Sequence, residues 1–64
     1  MTPEEKTWFL SLPEETKLQL LDDMLKEGKH MMALETSKIL LDAPFSEGGV
    51  STGKITKVFD KNMK

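Results

Sequence analysis

The sequence predicts an all-α protein, with a short N-terminal helix, an antiparallel helical hairpin, and a C-terminal segment that is a fourth helix, a short strand or a tail. Three observations carry this. Pro followed by two Glu occurs twice, in TPEEKTWFL and LPEETKLQL. Pro suits a helix's first turn, where its missing N–H has no partner to lose, and the carboxylates favour the positive end of the helix dipole. Apolar residues then recur at three- and four-residue intervals, and Gly28 divides them into two runs.

The first helix is expected over about Pro3 to Leu10, carrying Trp8 and Phe9. Thr2 with Glu5, and Ser11 with Glu14, have the spacing of a capping box, in which side chains satisfy the open backbone donors of a helix start. The second helix, about Pro13 to Glu27, gathers Leu18, Leu21, Met24 and Leu25 on one face and turns most of its charge elsewhere. Gly28 ends it. The third, about His30 to Ala43, presents Met31, Leu34 and Leu41 beside Met32, Ile39 and Leu40, which is broader than one stripe and implies two contact surfaces. Pro44 closes it. In the last segment KITKVF favours a strand and Gly53 weakens a helix, so helix, strand and tail stay open.

At 64 residues the chain forms one small domain whose core leaves stability marginal, so a partner or a second copy is expected to help cover the hairpin. It has no Cys, which removes disulfides and thiolate metal sites and fits a cytoplasmic protein. The longest apolar run, Met31 to Leu34, is far too short to cross a membrane. Residues 1–47 form an acidic helical body with five Lys and ten Asp or Glu. Residues 48–64 form a basic segment with four Lys and one Asp, and the chain's net charge is −2.

Little in the sequence supports catalysis. His30 is the only His and Tyr is absent, so no nucleophile and base are spaced for reaction. The adjacent pairs Glu4 with Glu5, Glu14 with Glu15 and Asp22 with Asp23 diverge by about 100° on a helix and do not chelate. Gly48, Gly53 and Lys54 imitate a phosphate-binding loop, but Ile55 stands where that loop needs a hydroxyl for Mg²⁺. No enzyme activity, cofactor, metal or nucleotide is expected.

Two functional readings follow. In the first, a regulatory protein of inhibitor or adaptor type acts by protein–protein contact, also as a homodimer. Its surface is the free side of the third helix with Met24, Met31 and Met32, whose flexible thioethers mould to partners or fill the core. Trp8 and Phe9 either cap the open end of the hairpin or anchor that partner. The acidic residues between 14 and 27, Asp22 and Asp23 included, could compete for a basic surface.

The second reading rests on Gly49, Val50, Ser51, Ile55 and Val58. Their spacing resembles the turn and second helix of helix-turn-helix DNA-binding proteins, over about eleven residues. The resemblance implies a compact transcriptional regulator whose reading helix runs from Ser51 to Phe59. Ser51 would cap it, Val50, Ile55 and Val58 would pack inward, and Thr52, Lys54, Thr56, Lys57 and Lys61 would meet DNA. Upstream the chain departs from the family, with Phe45 after Pro44 where a small helical residue is usual, and without Arg it lacks the side chain most used to read guanine.

Overall fold

A computed structural model describes residues 2–43 and 49–63. The phosphate-loop glycine Gly48, Pro44 with Phe45, and the 47/48 boundary between acidic and basic parts lie outside the described residues. The described residues form four helices, α1 over Pro3–Leu10, α2 over Glu14–Lys26, α3 over His30–Asp42 and α4 over Thr52–Asn62. The all-α fold, the short first helix and the hairpin are as the sequence predicts.

α1 begins where its Pro-Glu-Glu signal places it. Thr2 caps it, its Oγ1 accepting from the Glu5 N–H at 3.2 Å. The second capping box does not form. Ser11 ends α1 instead, its hydroxyl donating to the Trp8 carbonyl at 2.6 Å. The reason lies in Leu12, which precedes a proline and is pushed away from helical torsions by the Pro ring. α2 can therefore start only after Pro13, too late for Ser11 to reach its free donors.

The α2–α3 turn is made by Gly28, whose φ of 79° lies in the left-handed region. Its N–H bonds the Leu25 carbonyl at 3.1 Å and the Lys29 N–H bonds the Met24 carbonyl at 2.8 Å, the two hydrogen bonds of a Schellman ending. Nothing lies within 4 Å of a Cβ added there, so Gly28→Ala tests the backbone alone. It is expected to cost about 1 kcal/mol. Gly53, inside α4 and equally unobstructed, gives the opposite result: Gly53→Ala should stabilise by about 0.5 kcal/mol. Urea titrations of the two variants check both signs.

The C-terminal segment is a helix despite its β preference, because three interactions favour that form. Ser51 Oγ caps it by accepting from the Lys54 N–H at 3.4 Å. Ile55, Val58 and Phe59 share one side, with Ile55 buried and the other two half-buried against the core. Polar contacts then join it to α2, where Lys54 Nζ lies 2.8 Å from both Glu14 carboxylate oxygens and Asn62 Nδ2 donates to Asp22 Oδ1 at 2.6 Å. Tertiary packing overrides local propensity.

Phe9, Leu21, Leu25, Ala33, Leu40, Val50 and Ile55 form one core drawn from all four helical regions. Val50 belongs to it, and its N–H reaches the Leu40 carbonyl at 3.4 Å. The basic segment thus packs into the same core as the acidic body.

Candidate contact surface on the third helix

The inward face of α3 is not the one its large apolar residues suggest. Ala33, Thr36, Ser37 and Leu40, spaced i, i+3, i+4 and i+7, are buried. Small side chains let helices approach closely, and the hydroxyls carry their own hydrogen bonds: Ser37 Oγ donates to the Leu34 carbonyl at 2.7 Å and Thr36 Oγ1 to Met24 Sδ at 3.5 Å. Among the described residues no buried side-chain polar atom lacks a partner.

The consequence is an apolar outer surface. Met31 is 73 % exposed, Met32 49 %, Leu34 46 % and Leu41 45 %. Met31, Leu34 and Leu41 occupy the outward side together with Lys38, at alternating intervals of three and four residues. Met32 and Ile39 turn toward α1, where with Glu5, Glu35 and Thr36 they line a shallow groove. A second groove near the hairpin turn is floored by Leu20, Met24 and Met32 and rimmed by Asp23, Lys26 and Lys29. Met32 borders both.

Of the residues the sequence offers for partner binding, Met31, Met32 and Trp8 lie at the surface, and Met24 is half-buried beside Thr36. Phe9 is a correction. At 1 % exposure it is a core residue, unavailable to a partner, because the helical rotation that exposes Trp8 turns its neighbour inward. Leu34 and Leu41 are the residues that hydrophobicity alone assigns to either side. The small side chains at 33, 36 and 37, in register with Leu40, were the signal that could have placed them outside.

Asp22 is a second correction. Rather than joining a free acidic face it is covered by α4, with Asn62 at 2.6 Å, Lys26 Nζ at 3.0 Å and Lys61 Nζ at 3.9 Å. Hydrogen bonds from Asn62 and then Lys26 hold its carboxyl below the ordinary carboxylate value, assisted by the charges of Lys26 and Lys61 and opposed by burial. With the folded value depressed, the native state binds fewer protons than the unfolded chain just below the unfolded value of about 3.9. The contribution is therefore complete above about pH 4 and is lost as pH falls through the folded value. Urea midpoints of wild type and Asp22→Asn should differ by a constant amount from neutral pH to mild acid and converge below that point.

The residues proposed for DNA are divided. Thr52, Thr56 and Lys57 are exposed on α4, and Ser51 serves as its cap. Lys54 and Lys61 are turned to carboxylates of α2. Nine residues, 43–51, separate α3 from α4, against the three or four of a typical helix-turn-helix connection.

Among the described residues no three His, Asp or Glu side chains gather as a metal site, and no helix is long and apolar enough to cross a membrane. Comparison with protein-family models, with curated proteins and with solved structures gives no match.

Proposed function

We propose that this is a small, non-enzymatic regulatory protein that acts by protein–protein contact through the outward face of α3. One observation carries the reading. α3 faces α2 with its small and hydroxylated residues and leaves Met31, Leu34 and Leu41 in water. Exposed apolar residues scattered singly are ordinary, but a set repeated along one helix face is the form an amphipathic recognition surface takes. The neighbouring Met24 and Met32 add side chains that adapt their shape to a partner.

DNA binding through α4 is the second reading, favoured by the Ser51 cap and the outward Thr52, Thr56 and Lys57. It is weaker, because DNA affinity comes largely from cations on phosphates and two of the helix's three lysines already face α2 carboxylates.

Photo-cross-linking in cells separates the two. A photoreactive residue at position 34 is expected to give a discrete protein adduct, while one at position 57 gives none. Nucleic-acid adducts at position 57 with nothing at position 34 would reverse the assignment.

A further inference from the structure

From the residues on the outward face of α3, we infer that its partner is a second copy of the chain, with the two α3 helices lying antiparallel. The inference rests on the reading of that face as a contact surface and adds what occupies it.

The pattern of the face is self-complementary in one orientation only. Met31, Leu34, Lys38 and Leu41 run along its middle at the alternating three- and four-residue spacing that keeps two helices in register. With about 100° per residue, Leu34 and Leu41 lie toward one edge of this face and Glu35 lies past the other edge, on the side of the groove it shares with Met32 and Ile39, with Lys38 between them. Glu35 and Lys38 are exposed, and neither takes part in an ion pair among the described residues.

Let two copies of α3 lie antiparallel with their midpoints level. At about 1.5 Å rise per residue, Glu35 of each stands within about 2 Å of the level of Lys38 in the other, and Leu34 within about 5 Å of the level of Leu41. A two-fold axis across the pair sets like side against like side. The leucines of both copies then meet along one edge, and two Glu35–Lys38 pairs form along the other. A parallel arrangement instead sets Lys38 against Lys38 near the centre of the contact, which is repulsive, and turns the leucine edge of each copy toward Glu35 of the other. The antiparallel arrangement also brings opposite ends of the helix dipoles together.

A helix of thirteen residues is roughly 20 Å long, so the contact falls at the small end of interface sizes and the dimer is weak. Its detection needs protein from about 10 μM to about 1 mM.

Sedimentation equilibrium over that range, on wild type and on two charge reversals, tests the inference. Lys38→Glu sets Glu against Glu, and Glu35→Lys sets Lys against Lys. Each variant alone should dimerise at least about tenfold more weakly than wild type. Mixed in equal amounts they should form a heterodimer near wild-type strength, because every cross-copy pair again has opposite signs. Circular dichroism serves as the control, since both positions are exposed and helicity should not change. A wild-type monomer throughout the range, or a mixture no stronger than its components, overturns self-pairing. The broader contact reading is judged separately by the adducts at position 34: an adduct to a different protein alongside a monomeric wild type would uphold it while the second copy is rejected.

Discussion

Phe9→Ala is expected to unfold a large part of the population in water, whereas Trp8→Ala next to it leaves the fold intact. Phe9 is 1 % exposed and is the largest side chain that α1 contributes to the core, while Trp8 is 59 % exposed. Truncating a buried Phe costs about 3–5 kcal/mol from lost transfer free energy and the cavity left behind. A chain of 64 residues holds only roughly 3–10 kcal/mol in total, at about 0.05–0.15 kcal/mol per residue. Losing the exposed Trp8 ring should cost no more than about 1 kcal/mol. Urea unfolding followed by circular dichroism should thus show a greatly shortened or missing native baseline for Phe9→Ala alone. Equal losses for the two variants would mean that α1 docks through a different face.

The second large effect runs against hydrophobicity. Ala33→Leu makes α3 more apolar and is expected to destabilise by about 1–3 kcal/mol, since Ala33 is fully buried and the added carbons have no room between α2 and α3. Leu34→Glu makes the same helix less apolar and should leave the monomer's urea midpoint within about 0.5 kcal/mol of wild type. Its loss appears elsewhere, in abolished contact through the outer face of α3. Folding and binding therefore depend on adjacent residues of one helix. If Leu34→Glu unfolds the protein and Ala33→Leu does not, the inward and outward faces have been exchanged.

Much of the architecture is legible in the sequence because it depends on local chemistry. The Pro3-Glu4-Glu5 start, the Gly28 stop and the Ser51 cap each act within a few residues of themselves, and each occupies its expected place. What the sequence hides depends on contacts between distant parts of the chain. Ser11 matches a capping box until the constraint that Pro13 places on Leu12 is counted. Asp22 reads as surface charge until α4, forty residues later, lays Asn62 over it. KITKVF reads as well for a strand as for a helix, and its packing and polar contacts against α2, added to the Ser51 cap, decide it.

The candidate site was half visible for the same reason. A helix with apolar residues at 31, 32, 34, 39, 40 and 41 plainly has more apolar surface than one neighbour can cover. Which part faces inward follows from the close approach of α2, which favours the small side chains Ala33, Thr36 and Ser37 over the large ones. Hydrophobicity ranks those residues poorly and shape ranks them well. Met31 and Met32 thus lie outside as a contact surface requires, while Met24 is divided between core and groove.

The contact surface depends on that orientation of α3, and solvent paramagnetic relaxation of side-chain methyls in dilute protein measures it directly. With a soluble gadolinium chelate, the methyls of Met31, Leu34 and Leu41 should relax strongly, and those of Ala33 and Leu40 should be protected. Protection of Leu34 and Leu41, with strong relaxation at Ala33 and Thr36, would mean that α3 is rotated to bury its leucines, and the contact surface would not exist.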